Sequence, residues 1–292
     1  MGRFFGLATL LIAACVAGQA HAFVISTHDV DGTPTEGWDG PGLGSATINY
    51  FLGWDGAPDG DGITSSGLGI AQIEAEVANA MATWSSVADI SFSYLGNSLS
   101  NPALASDPWG SPGNETLVIY FHGDEGTNAF PFDGDGLQTV FAHAWGPPDL
   151  VTDTIGYAFA GNIHLDAAEN WLTGLADGTT YGSVGGIDLE TILLHELGHS
   201  LGLGHSGSGF ATAGGPVMAP FSNQALSTLG ADDIAGIRSL YSFGGGEDPD
   251  VTPVPEPGSL SLLALGLLVI SQLARRRART VGGTFDAVPV PG

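Results

Sequence analysis

The stretch "HELGHSLGLGHS", residues 195–206, places three histidines, one glutamate and three glycines at regular spacing. On a helix, His195 and His199 lie one turn apart and project from the same face, within reach of one metal ion. Glu196 follows the first histidine, so its carboxylate lies beside such an ion and can take a proton from bound water. A turn after the helix can bring back His205 as a third ligand. Three protein ligands leave the fourth position of a zinc ion for water, which is typical of a catalytic site.

The surrounding sequence predicts that this stretch is helical. Apolar residues at helical spacing predict a helix over 187–203, with Asp188 near its start and Gly202 near its end. Glycine tolerates the left-handed backbone that turns a chain sharply. The alternative is an amphipathic helix with incidental histidines. Five positions match H-E-x-x-H-x-x-G-x-x-H in the helical context that the motif requires, so we expect a catalytic zinc.

The rest of the central sequence predicts strands first, with helices interleaved. Alternating or continuous apolar residues predict strands over 46–51, 90–95 and 116–121. Helical spacing predicts two further helices over 70–84 and 231–242. The loops are long and rich in Gly and Asp, and bound metal is one reason for such loops in a compact domain.

The composition limits the possible partners and ligands. The chain has 31 acidic and 6 basic residues, and Arg238 is the only basic residue between positions 23 and 254. Such a surface repels nucleic acid and anionic lipid, so neither is an expected partner. Cys15 is the only cysteine, so a metal site must use His, Asp, Glu or backbone oxygens.

The N-terminus has the pattern of an export signal. Arg3 precedes an apolar run over 4–17, and Ala20-His21-Ala22 has the small-x-small form of a signal peptidase site. We expect a signal peptide over 1–22 and an N-terminal segment over 23–45. An alternative remains, because Ile12-Ala13-Ala14-Cys15 resembles a bacterial lipobox.

The C-terminus has a second targeting pattern. Val254-Pro255-Glu256-Pro257 precedes an apolar run over 258–274 and then an arginine cluster that ends at 279. This order resembles the PEP-CTERM sorting signal of Gram-negative bacteria, which a dedicated membrane protease recognises and removes. The resemblance implies export to the outer surface or medium, with transient membrane association through 258–274. The alternative is an ordinary C-terminal membrane anchor. Residues 244–257 are predicted to be a flexible linker, and 280–292 a tail.

The central segment resembles the metzincin metalloproteases, and among them the matrixins. The motif over 195–205, Ser206 directly after it, and Met218 in "PVMAP" carry the resemblance. It implies an α+β zinc protease domain over 46–243, with a twisted mixed sheet, three main helices and Met218 in a methionine turn. Two features differ from the matrixin pattern: the loop before Met218 is longer, and Ser222 stands where matrixins commonly have a tyrosine.

The resemblance extends upstream and implies two further metal sites. The implied ligands of a structural zinc are His122, Asp124, His143 and His164. The implied ligands of a calcium ion are the carboxylates of Asp133, Asp166 and Glu169 and the backbone oxygens of Gly134 and Gly136.

Two functions from different classes fit this sequence. The first is a secreted zinc endopeptidase acting on extracellular proteins, with Glu196 as the general base. The second is a non-catalytic, calcium-dependent surface or matrix protein that retains the protease fold. Because a binding protein has no need of an acid beside an open zinc, Glu196 favours the enzyme.

Overall fold

A computed structural model describes residues 23–26, 37–39, 44–53, 66–100, 116–122, 140–148 and 161–242. The predicted signal peptide, linker, apolar span and tail lie outside these ranges, as do four predicted metal ligands: Asp124, Asp133, Gly134 and Gly136. For His122 only the backbone is described.

Nine strands are present in the described residues: β1 (Val24–Ile25), β2 (Ala46–Leu52), β3 (Ile90–Asn97), β4 (Thr116–His122), β5 (Ala142–Ala144), β6 (Ile163–Asp166), β7 (Trp171–Leu172), β8 (Ile187–Asp188) and β9 (Leu203–Gly204). The main sheet has the order β3-β2-β4-β6-β5. Its first four strands are parallel and β5 is antiparallel to β6, so the predicted mixed sheet is confirmed. The three strands predicted from the sequence are β2, β3 and β4.

Four helices are present in the described residues: α1 (Ile70–Ser85), α2 (Tyr181–Val184), α3 (Leu189–Ser200) and α4 (Ala231–Leu240). The three longer ones are the three predicted main helices. The prediction of a single helix over 187–203 was too long at both ends. At its start, the Asp188 carboxylate accepts hydrogen bonds from the Thr191 amide at 3.0 Å and its hydroxyl at 2.7 Å, which caps α3. At its end, Gly202 has a φ of 107° and the chain continues into β9.

The core fills the space between the main sheet and the helices α1 and α3. Trp84 of α1 is fully buried and donates its indole N–H to the Leu194 carbonyl of α3 at 3.0 Å. Alternate residues of β4 belong to two clusters: Ile119 lies in the main core, whereas Val118 packs with Phe51 in a second cluster. Burial of both faces explains the continuous apolar run of this parallel strand.

No helix in the described residues is both long and apolar enough to cross a membrane. The predicted span over 258–274 lies outside the part of the chain that was searched.

Candidate metal centre and active-site cleft

The three histidines of the motif converge on one point. The Nε2 atoms of His195, His199 and His205 lie 3.1–3.2 Å from one another. A tetrahedral zinc with bonds of about 2.0–2.1 Å sets its ligand nitrogens roughly 3.3 Å apart, so this arrangement fits the ion. Among the described residues, this triad is the only group of three or more His, Cys, Asp or Glu side chains with this convergence.

Backbone carbonyls hold two of these rings in position. Nδ1 of His195 lies 2.8 Å from the Val217 carbonyl oxygen, and Nδ1 of His199 lies 2.8 Å from that of Leu203. A proton on Nδ1 leaves the Nε2 lone pair for a metal ion. Burial lowers the pKa of His195 to about 3 and that of His199 to about 4. Both rings are therefore neutral at physiological pH, as metal ligation requires.

Glu196 lies on the same helix as His195 and His199 and lines the same cleft as the triad. Its side chain is 6% exposed, and its Oε2 atom accepts no hydrogen bond from any described residue. Burial raises the pKa of this carboxyl to about 8. A nearby dication favours the ionised form, so a bound metal would return the carboxylate to the charge that a general base needs.

Met218 lies beneath the metal-binding helix. It is fully buried, and a methyl group added to Gly198 of α3 would overlap its sulfur atom. The preceding residue, Val217, provides the carbonyl that contacts His195. This segment, where the resemblance placed a methionine turn, is therefore in direct contact with the helix that carries His195 and His199.

The cleft around the triad has a volume of about 830 Å³. Its floor is α3 and one wall is the segment 140–144, which contains β5. A second wall is formed by residues 219–223, and Phe210 also lines the cleft. Because β5 is the last strand of the main sheet, the cleft runs beside a sheet edge.

Two of the four predicted structural-zinc ligands lie close together on β5 and β6, and one of them, His143, also lines the cleft. His143 of β5 is opposite His164 of β6, and their Nε2 and Nδ1 atoms lie 3.0 Å apart. The Tyr120 hydroxyl lies 3.3 Å from the same His164 nitrogen. His122 is in β4, opposite Asp166 of β6, and Asp124 lies outside the described residues.

Two of the predicted calcium ligands lie at the end of β6 or shortly after it. Asp166 is fully buried, and its Oδ1 accepts a hydrogen bond from the Ala168 amide at 2.9 Å. Glu169 is 7% exposed. The other three predicted ligands lie outside the described residues.

Comparison with known proteins agrees with this geometry. The family profile of the matrixins matches residues 62–242, which is more than half of the chain. The chain belongs to the matrixin family. A PEP-CTERM protein-sorting motif matches residues 253–278.

Several curated matrixin relatives have similar sequences. Rat stromelysin-2 is 32% identical over 183 residues, covering 63% of this chain and 31% of its own length. Karilysin of Tannerella forsythia is 33% identical over 180 residues, covering 62% of this chain and 31% of its own. Metalloendoproteinase 4-MMP of Arabidopsis thaliana is 37% identical over 135 residues, covering 46% of this chain and 32% of its own. The chain thus spans about a third of the length of these relatives.

Sequence reasoning missed two residues that support the site of this matrixin. The buried carboxylate of Asp233 accepts hydrogen bonds from the Val217 amide at 2.7 Å and the Met218 amide at 3.2 Å. The hydroxyl of Tyr181, which is 1% exposed, lies 3.1 Å from that of Ser222 in the cleft wall. Acids in the first turn of a helix such as α4 are common because they stabilise its N-terminus, and Tyr181 carries no motif signal.

Proposed function

We propose that this matrixin is an exported zinc-dependent endopeptidase. The observation that carries the proposal is the convergence of three Nε2 atoms beside the buried Glu196 in one open cleft. The proposed ligands of the catalytic zinc are His195, His199 and His205. Membership of the matrixin family, whose relatives include metalloendoproteinases, supports the same activity.

The metal and the protein have different roles in the proposed reaction. Zinc, when bound, supplies Lewis acidity toward water and the scissile carbonyl. Glu196 accepts a proton from the attacking water and later donates it to the departing amine nitrogen. Its buried position in the cleft favours this second role, because the carboxyl can hold the proton away from bulk water between the two steps.

The position of β5 supports an extended polypeptide as the substrate. Its residues line the cleft, and no further strand pairs with its outer edge in the described residues. An extended chain can add to such an edge through main-chain hydrogen bonds, which brings a peptide bond across the triad.

The glutamate is the position at which the proposal is tested. Glu196→Ala in the full-length chain should abolish peptide hydrolysis while zinc content stays unchanged, because the glutamate is not a ligand. Asp89→Ala, which changes an exposed carboxylate, is the control and should keep full activity. Appreciable hydrolysis by a fully zinc-loaded Glu196→Ala variant would refute the assignment. Retained zinc with no hydrolysis by the wild type would instead favour the non-catalytic surface protein.

We propose a second, structural zinc at His122, Asp124, His143 and His164. The short distance between the rings of His143 and His164 supports it, since two adjacent imidazole nitrogens can share one ion. Calcium is proposed at Asp133, Gly134, Gly136, Asp166 and Glu169. Burial of the carboxylates of Asp166 and Glu169 supports this site, because buried carboxylates need a cation or hydrogen-bond donors. Elemental analysis of active protein should give two zinc ions and at least one calcium, and one zinc without calcium would contradict both sites.

We also propose that the C-terminal signal directs the enzyme to the outer surface or the medium of a Gram-negative bacterium. The match of the sorting motif to 253–278 supports this route, with a sorting protease as a processing partner. Mass spectrometry of protein from the host should find a chain that ends near residue 257. A chain that remains in the membrane fraction and retains residues 275–292 would indicate a plain membrane anchor.

A further inference from the structure

Four carboxylates gather where the first half of α1 meets the start of α3. They are Glu76 of α1, Asp188 and Glu190 at the start of α3, and Asp177 in the loop after β7. The carboxyls of Glu76 and Glu190 lie within hydrogen-bond reach of each other, and the charges of Asp188 and Asp177 act on Glu190. This group, called here the helix-junction cluster, contributes no residue to the histidine triad or to the cleft.

Two carboxylates of the helix-junction cluster have a buried oxygen atom without a hydrogen-bond donor. Glu76 is 6% exposed, and its Oε2 atom has no hydrogen-bond partner in the described residues. Asp188 is 2% exposed, and its Oδ2 atom accepts both hydrogen bonds from Thr191, whereas its Oδ1 atom has no partner among the same residues. A buried carboxylate oxygen without a donor or a counter-charge is strongly unfavourable. Both atoms therefore need a further partner in the folded protein.

No basic side chain neutralises this cluster in the part of the chain that the structure describes. Arg238 is the only Lys or Arg between positions 23 and 254. Its guanidinium donates to the Val87 carbonyl at 2.9 Å, beyond the end of α1 and separated from Glu76 by roughly 14 Å of helix. The donors near the cluster are neutral backbone amides of the loop after β7. The negative charge of the cluster is therefore left to a proton or a metal ion.

A metal ion satisfies this cluster better than a proton does. One proton shared by Glu76 and Glu190 would leave Oδ1 of Asp188 without a partner. Calcium takes roughly six to eight oxygen ligands in a flexible geometry, so carboxylates and waters together can complete its shell. The carboxylates do not converge on one point as the three histidines do. This looser arrangement favours calcium over magnesium, which demands near-ideal octahedral geometry.

We propose that the helix-junction cluster binds a calcium ion that joins α1 to α3. Glu76 and Glu190 supply carboxylate ligands, and Asp188 contacts the ion directly or through water. Asp177 is exposed at the rim and attracts the cation to the site. This ion is separate from the calcium proposed at the end of β6. Because α3 carries two histidines of the triad, the ion would stabilise the helix that holds them, and the inference does not rest on catalysis.

The experiment counts bound calcium and measures the stabilisation that calcium gives. The zinc-loaded full-length chain is compared with Glu76→Gln, which keeps the shape of the side chain and removes its charge. Glu190→Gln, at a half-buried position, is a second variant in case the first fails to fold. Asp89→Asn removes one exposed charge and is the matched control. Asp166→Asn removes a ligand of the other proposed calcium, so it separates the two sites.

The wild type and Asp89→Asn should each bind one calcium ion more than Glu76→Gln or Glu190→Gln, and Asp166→Asn should retain the ion of the helix-junction cluster. We expect a Kd of roughly 10⁻⁴–10⁻³ M, as in extracellular calcium modules. At about tenfold above this Kd, the rise in Tm caused by calcium should be about 3–6 °C smaller in Glu76→Gln than in the wild type. In a chelator at pH 8, Glu190→Gln should be the more stable chain because one like charge is gone, and calcium should remove that advantage.

Three outcomes would overturn this site. The first is an equal number of bound calcium ions in the wild type and in Glu76→Gln. The second is an equal rise in Tm when magnesium replaces calcium at the same concentration. The third is an infrared band of a protonated carboxyl that persists in saturating calcium and disappears in Glu76→Gln, which would show a shared proton in place of the ion. None of these measurements depends on peptide hydrolysis, so failure of the site and failure of the proposed function are distinguishable.

Discussion

Asp233 of α4 should be decisive for the stability of this matrixin and for retention of its metal. Its carboxylate is 1% exposed and accepts three amide hydrogen bonds, from Val217 at 2.7 Å, Met218 at 3.2 Å and Gly230 at 2.8 Å. Asp233→Ala removes all three bonds and leaves three amide groups without that acceptor. Hydrogen bonds to a charged group contribute about 1.5–3 kcal/mol each.

Simple addition of these three bonds gives about 4–9 kcal/mol for the loss of unfolding free energy. Bonds in one network are not additive, so we expect a loss of about 4 kcal/mol, near the low end. For a domain of this size, that loss corresponds to a fall in Tm of roughly 8–16 °C. Asp233→Asn keeps the shape and one acceptor oxygen, and its loss should be about half as large.

The same change should weaken metal binding. The carbonyl of Val217 contacts Nδ1 of His195, and the amide of the same residue is held by Asp233. Loosening this segment should release the ring and speed zinc transfer to a chelator. The assays are urea and thermal unfolding and chelator kinetics on the zinc-loaded full-length chain, with the exposed-site variant Asp89→Ala as control. An unfolding free energy of Asp233→Ala within about 1 kcal/mol of wild type, with unchanged zinc transfer, would refute the reasoning.

Two further changes test other contacts of α3. Burial and nearby acids raise the pKa of Glu190 to about 7. The neighbouring carboxylates are Glu76, Asp177 and Asp188. When the pKa of a carboxyl is higher in the folded state than its unfolded value of about 4.3, the protein loses stability as the pH rises from about 4.3 through the folded pKa. Glu190→Gln should therefore raise Tm at pH 8 and have no effect at pH 4. An equal effect at both pH values would contradict this. Gly198→Ala should lower the unfolding free energy by about 1–3 kcal/mol because the methyl group overlaps Met218, whereas Gly182→Ala meets no atom within 4 Å and should be neutral in the same thermal assay.

The strands and helices that the sequence predicted well have strong periodic patterns. β4 and α1 were found within a residue or so, because burial imposes a continuous run on the first and a helical period on the second. β5 was missed because three half-buried residues are too few to show a period. The early end of α3 follows from pairing of β9 with β1, residues about 180 positions apart in the chain, which no local pattern reveals.

The residues of the candidate site also differ in how well the sequence predicted them. His195, Glu196 and His199 are set by spacing on one helix, and His205 follows that helix at the spacing of the motif, so the sequence alone could place them together. The contacts of Asp233, Tyr181 and Phe210 join segments that are distant in sequence, or opposite sides of a long loop. Such contacts depend on how the elements pack, and packing is decided by the whole core rather than by neighbours along the chain.

The pairing of β1 with β9 also bears on when the proposed catalytic centre can form. β9 lies between His199 and His205, and its partner strand is Val24–Ile25. Gly44 likewise forms a bridge with Tyr241 at the far end of the domain. Two segments that are far apart in the chain must therefore meet when the third histidine is held in place. Closing such long loops is slow compared with local helix formation. A nascent chain should consequently carry the complete motif before its three histidines are all held in place.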